Sequence, residues 1–256
     1  MLCETQFSRV YMAIDTHELN YVTIKEHKPD PNASPEQNAQ DIEQFKLEAS
    51  FLKKISSPYV AKLLGAGTEN SRFYMAIEFI CGQTLKIIKE ANGPIDESFA
   101  LELAKDIFRG LMDIHPFCIS RDIKPQNLIY NKSHVVHIDF GIAKKTGHQT
   151  SRAVRHCYTP LFAPPEQKYG QGTTEASDTF SSCATIFWMI ASIEESRLES
   201  IVSKQDGLPL QAEDVLKVSP GISRKLAAFL AKGMNPNPFK RWQSATEAYI
   251  ELCNMP

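Results

Sequence analysis

The hydrophobic pattern of this chain changes character near Gly82. Before that point short β-forming runs dominate. Val10, Tyr11 and the block Tyr21-Val22-Thr23-Ile24 predict extended structure over residues 7–25, with a turn between Asp15 and Asn20. The stretch from Lys28 to Pro35 is rich in chain breakers and predicts a loop. A helix follows from Glu36 to Lys54, because Ile42, Phe45, Ala49 and Leu52 recur at three- and four-residue spacing. Two further strands are expected, Val60 to Gly65 and Arg72 to Phe79. Beyond Gly82 the pattern is mainly helical. Ser98 to His115 carries Phe99, Leu103, Ile107, Leu111 and Ile114 on one side, and other helices are expected near 175–192, 221–232 and 243–253. Strands first and helices later predict an α+β protein of two unequal lobes, joined near Glu78 to Gly82. The lobes are expected at 1–79 and 80–256. No internal repeat or low-complexity tract interrupts them.

Composition narrows the class without naming a chemistry. The chain has 256 residues, 43% hydrophobic and 23% charged, enough for one large domain or a two-lobed one. A net charge of −2 gives no reason to expect nucleic acid or an anionic membrane as partner. The six cysteines are scattered and form no Cys-x-x-Cys pair, which predicts a reduced, cytoplasmic protein. Met1-Leu2-Cys3-Glu4 does not read as a signal peptide. The longest apolar stretch, Ala184 to Ala191, falls far below the roughly 20 residues that span a bilayer. Oligomeric state is not legible.

Chemistry enters with two acidic residues 17 positions apart. Asp122 sits in Arg121-Asp-Ile-Lys-Pro-Gln-Asn127, and Asp139 in Asp139-Phe-Gly141, just after the apolar run His134 to Ile138. Upstream, Lys25 closes Val22-Thr-Ile-Lys25, and Glu48 lies on the expected long helix. Downstream come Tyr158-Thr-Pro-Leu-Phe-Ala-Pro-Pro-Glu166, Ala176-Ser-Asp178 and Asn237-Pro-Phe-Lys-Arg241.

In this order and spacing the set resembles the eukaryotic-type serine/threonine protein kinase family, bacterial members included, over nearly the whole chain. The resemblance implies a two-lobed kinase fold: a small antiparallel sheet with one long helix, then a larger, mainly helical lobe. It implies transfer of the γ-phosphoryl group of ATP, with Mg²⁺, to a serine or threonine of a protein substrate. Asp122 would orient the acceptor hydroxyl and take its proton. Lys124 would reach the γ-phosphate, and Asn127 and Asp139 would hold metal ions. Lys25 would contact the α- and β-phosphates and pair with Glu48, although Glu43 lies on the same helix. The adenine would be walled by Val10, Thr23 and Ile129. Ile77 would stand at the back, and Glu78-Phe79-Ile80 would offer backbone hydrogen bonds. Lys124 and Thr159 match the serine/threonine branch. Glu166 and Arg241 would form a buried ion pair. Asp178 would organise the catalytic loop or cap its own helix. Arg121 would receive an activation-loop phosphate, with Thr146, Thr150 and Ser151 as candidate sites.

Three departures stand against this pattern. The three places of the glycine-rich loop hold Cys3, Thr5 and Ser8, although Phe7 matches its tip. Only Met1 and Leu2 precede that loop, so the first strand is expected to be mostly missing. Ser120 replaces the usual histidine, predicting a gap in a stack of Leu52, Leu63, Ser120 and Phe140. A pseudokinase that binds nucleotide or acts as a scaffold is the alternative.

Overall fold

The structure, a computed structural model, describes residues 1–4, 8–70, 72–145, 159–203 and 208–255. The chain divides into two compact units, Met1–Cys81 and Gly82–Pro256.

The first unit is a five-stranded antiparallel sheet with one long helix. The strands β1 (Cys3–Glu4), β2 (Ser8–Asp15), β3 (Asn20–His27), β4 (Leu63–Glu69) and β5 (Arg72–Glu78) take the order β1-β2-β3-β5-β4. The expected β2–β3 hairpin forms, and Asp15 holds its turn by accepting from the N–H groups of His17 and Glu18. Strand β1 has two residues, paired Cys3 to Val10 and Glu4 to Arg9. Helix α1 (Pro35–Leu52) starts where Ser34 Oγ accepts from the Gln37 N–H at 3.2 Å, with Pro35 in its first turn. It buries Phe45, Glu48, Ala49, Phe51 and Leu52.

The strand expected at Val60 to Gly65 is displaced to Leu63–Glu69. Val60 and Ala61 do bury their side chains, but outside the strand. Gly65 and Gly67, poor β-formers, are held instead by pairing with β5 across a register shift between Leu63 and Gly65.

The second unit is mainly helical. Its small strands are β6 (Gln83–Thr84), β7 (Cys118–Ile119), β8 (Leu128–Tyr130), β9 (Val135–His137) and β10 (Lys144–Lys145). They pair as β6-β8-β9 and β7-β10. Its helices are α2 (Leu85–Asn92), α3 (Glu97–Ile114), α4 (Pro165–Lys168), α5 (Glu175–Ile190), α6 (Glu195–Val202), α7 (Ala212–Val218), α8 (Arg224–Gly233) and α9 (Ala245–Cys253). Helices α3, α5, α8 and α9 match the expected segments to within a few residues. Helices α2, α6 and α7 were not expected. Each has eight residues or fewer, too short for a period of 3.6 to declare itself. No helix among the described residues is long and apolar enough to cross a membrane.

The core of this unit is α5, buried at every position from Ala176 to Ile190. Within it Ser181 Oγ donates to Ser177 O at 3.2 Å and Ser182 Oγ to Asp178 O at 2.8 Å, while Thr185 Oγ1 is buried with no partner among the described residues. Helices α3, α8 and α9 pack around it.

One ion pair ties the long C-terminal segments together. Arg241 Nη1 and Nη2 donate to Glu166 Oε1 and Oε2 at 2.7 and 2.8 Å, the expected bidentate geometry. Ser177 Oγ donates to Glu166 at 2.8 Å, and the carbonyls of Asn235, Ala176 and Pro236 take further guanidinium N–H groups. Both charges are buried and well satisfied, so removing one partner strands the other. Arg241→Met is expected to cost roughly 3–5 kcal/mol, because it leaves Glu166 an uncompensated buried charge. Arg241→Lys should restore little, since an ammonium lacks the planar fork. Urea unfolding followed by Trp188 and Trp242 fluorescence measures both; a loss below about 1 kcal/mol for Arg241→Met would contradict the assignment.

Candidate active site

In the first unit, Lys25 lies near the end of β3, opposite Val10 on β2 and Met75 on β5. Its ammonium contacts Glu48 Oε1 and Oε2 at 2.7 and 2.8 Å, from α1. Glu43, the other candidate on that helix, is bonded to Lys46 instead. Two residues back, Thr23 faces Met12 and Ile77. Directly opposed residues of an antiparallel pair share a face, so Val10, Thr23, Lys25 and Ile77 present one surface. That surface combines apolar groups with one paired ammonium. Glu78 ends β5, and its own N–H is spent on Lys62 O at 2.8 Å. A ligand at this edge is left with its carbonyl and the backbone of Phe79 and Ile80. At the glycine places, Ser8 is buried in regular β2, opposite His27. Thr5 and Phe7 lie outside the described residues.

In the second unit, the loop between β7 and β8 carries Asp122, Lys124 and Asn127. Lys124 Nζ lies 2.8 Å from both Asp122 oxygens. Asn127 Nδ2 donates to Asp122 Oδ2 at 2.8 Å and to the Asp122 carbonyl at 3.0 Å. The Asn127 amide nitrogen is therefore committed, and its oxygen is the atom left for a cation. Burial raises the Asp122 pKa above the usual carboxylate value. Lys124 opposes that shift, Asp139 adds to it, and Asn127 opposes it. Asp139 follows the buried strand β9 and accepts from the Gly141 N–H at 2.9 Å. Among the described residues no cluster of three or more His, Cys, Asp or Glu could hold a metal by itself. The donors on offer are one carboxylate and one amide oxygen, which suit a hard ion that keeps water and phosphate oxygens as its other ligands. Ile129, on β8, is half-buried and pairs with Val136.

Asp178 settles its open alternative. Its Oδ2 accepts from the Ser120 N–H and its Oδ1 from the Arg121 N–H, both at 2.8 Å. It does not cap its own helix: α5 starts at Thr174, whose N–H donates to Ser177 Oγ. So held, Arg121 adopts a left-handed φ of 67°. Its Nε is buried with no hydrogen-bond partner among the described residues. Burial lowers the pKa of Arg121, with Asp178 opposing, and burial together with Arg121 lowers that of Lys144. Thr146, Thr150 and Ser151 lie outside the described residues. Ser120 and Phe140 are buried in this unit, Leu52 and Leu63 belonging to the other, and Ser120 Oγ likewise has no partner among the described residues.

One residue escaped the sequence reading. His115 follows α3, and its Nε2 lies 3.1 Å from Asp178 Oδ2, its Nδ1 3.3 Å from Glu175 Oε2. Burial works against its charge, but Asp178 and Glu175 outweigh that and push its pKa up to about 9. The signal was faint: a lone histidine at the end of a strongly amphipathic helix.

The protein kinase domain family matches residues 2–251 of the chain. Over 222 residues the chain is 27% identical to a probable serine/threonine-protein kinase of Clostridium perfringens, covering 84% of this chain and 32% of that protein. It is 26% identical over 273 residues to serine/threonine-protein kinase F of Synechocystis, covering 98% and 53%. It is 26% identical over 218 residues to serine/threonine-protein kinase PrkC of Bacillus subtilis, covering 82% and 33%. The chain thus spans a third to a half of the length of these curated relatives.

The His115 contacts make a pH prediction. A histidine whose pKa rises on folding stabilises fully below its ordinary value of 6.5, and that contribution is lost as pH climbs through about 9. Stability in urea is therefore expected to decline over that window. His115→Gln should start lower at neutral pH and decline less. Equal slopes in the two proteins would refute the charged clamp.

Proposed function

The chain belongs to the protein kinase domain family, and from that premise we propose that it transfers the γ-phosphoryl group of ATP to serine or threonine hydroxyls of a protein substrate. The observation that carries this reading is the triad of Asp122, Lys124 and Asn127. It is a half-buried carboxylate with raised proton affinity, held by an ammonium and an amide on one short loop.

Asp122 aligns the acceptor hydroxyl and takes its proton as the oxygen–phosphorus bond forms and the bond to the departing ADP breaks. Lys124, bonded to both Asp122 oxygens, is placed to share itself with the γ-phosphate. Lys25, fixed by Glu48, meets the α- and β-phosphates. Asp139 and the Asn127 oxygen would hold magnesium, which would neutralise charge on the phosphates. Val10, Thr23 and Ile77 supply the apolar surface beside Lys25 for the adenine, with Ile129, and the backbone at Glu78 and Ile80 reads its edge. Lys124 and Thr159 favour an aliphatic hydroxyl as acceptor. Arg121 and Lys144 form a cation pair suited to a phosphate on the segment after Lys145, with Thr146, Thr150 and Ser151 as the candidates. A cytoplasmic setting and no nucleic-acid partner complete the proposal. All four charged or metal-binding groups, Lys25, Asp122, Asn127 and Asp139, are present, which favours an enzyme over a scaffold that only binds nucleotide.

With labelled ATP, magnesium and mixed histones as acceptor, Asp122→Asn, Lys25→Ala and Asp139→Ala are each expected to cut transfer by about 100-fold or more, since each removes preorganised charge from the reacting groups. Rates close to the unmodified protein in all three would reject the mechanism. Thermal stabilisation by ATP without any transfer would favour the scaffold reading instead.

A further inference from the structure

Gln167, which directly follows Glu166 on α4, carries no role in the scheme above. Its side chain is buried, and its Nε2 donates to the Arg121 carbonyl at 2.9 Å. The N–H of the same residue, Arg121, donates to Asp178 at 2.8 Å. The residue before Asp122 is thus gripped on both its polar backbone groups, by side chains from two different helices. It needs that grip. A left-handed φ of 67° on a residue with a β-carbon persists only where its surroundings over-determine it.

The carbonyl of Arg121 belongs to the peptide that leads into Asp122. Fixing its direction fixes the plane of that peptide, and so the direction in which the Asp122 side chain leaves the backbone. Gln167 also lines one cavity with Asp122, Lys124 and Thr159. A plain structural tie accounts for it less well. Helix α4 is already anchored through Glu166 and Arg241. Meanwhile Gln167 Oε1 is buried with no partner among the described residues. An apolar side chain would fill the same space without stranding an acceptor, so the amide is justified by what its nitrogen holds.

We propose that Gln167 is a positioning residue for Asp122, acting through the Arg121 carbonyl. The proposal rests on the kinase reading. Its test uses Gln167→Met, which keeps length and removes the donor, and Gln167→Glu, which keeps shape and replaces the donor by an acceptor. Steady-state transfer from ATP·Mg²⁺ to mixed histones is measured beside hydrogen–deuterium exchange of residues 118–128. Both variants are expected to lose kcat by about tenfold to 100-fold, with KM for ATP and acceptor within about threefold, as misplacing a reacting group does. Exchange should quicken in 118–128 and stay unchanged in α3 and α5. A folded variant whose kcat stays within about twofold, or whose loss lies in KM alone, would overturn the proposal. Unchanged exchange in 118–128 would overturn it too. If the unmodified protein transfers no phosphate, the kinase reading falls, and the exchange comparison alone decides whether Gln167 holds the loop.

Discussion

A single carboxylate with no solvent exposure, that of Asp178, fixes where the loop between β7 and β8 sits. Burying such a charge is costly unless donors surround it. Here the donors are the amides of Ser120 and Arg121 and the imidazole of His115. They come from the loop and from the end of α3, so the charge joins both segments to the first turn of α5. Each donor stabilises the carboxylate, and the carboxylate in turn holds each donor in place. The strained backbone of Arg121 is the visible result. Asp122 inherits its direction from that backbone, so the carboxylate proposed to take the acceptor's proton depends on an interaction made by its neighbours.

The same logic extends outward. Ser177, one residue before Asp178, donates to Glu166; Glu166 pairs with Arg241; Gln167, next to Glu166, reaches back to Arg121. A closed circuit of polar groups therefore runs from the loop between β7 and β8 through α4 and α5 and back. Buried networks of this kind stiffen a site when every essential donor is met, and they fail together when one member is lost. The apolar core around α5 supplies the bulk of burial. The polar circuit specifies where the loop lies on that core.

The residues proposed to act on substrate were legible as candidates because each sits in a short string with a distinctive internal spacing. Asp122, Lys124 and Asn127 lie within six residues and contact one another; Lys25 and Glu48 were chosen by strand end and helix face, and they meet. What stayed hidden depends on long separations or on weak local signals. Gln167 and His115 act on groups 46 and 63 residues away, and no window of periodicity reports that. Strand β4 was misplaced because its glycines carry no β preference and its register is set by β5. Helices α2, α6 and α7 are too short to show a stripe. For Asp178 the loop and its own helix stayed open as alternatives, since an acid in the first turn of a helix fits capping equally well until the backbone it faces is known.

The departures from the family pattern follow the same division between backbone and side chain. At position 120 the usual histidine is gone, yet the N–H of Ser120 still donates to Asp178, while its hydroxyl has no partner among the described residues. The loop thus requires the peptide at that position, which any residue supplies. At the glycine place held by Ser8, the chain runs in ordinary strand register with His27 and needs no left-handed torsion, so a β-carbon meets no backbone penalty there. In both places the lost side chain, or the lost absence of one, was not what the surrounding backbone relied on. At Lys25, Asp122, Asn127 and Asp139, where the family pattern asks for a particular side chain and not only for backbone, this chain carries that side chain.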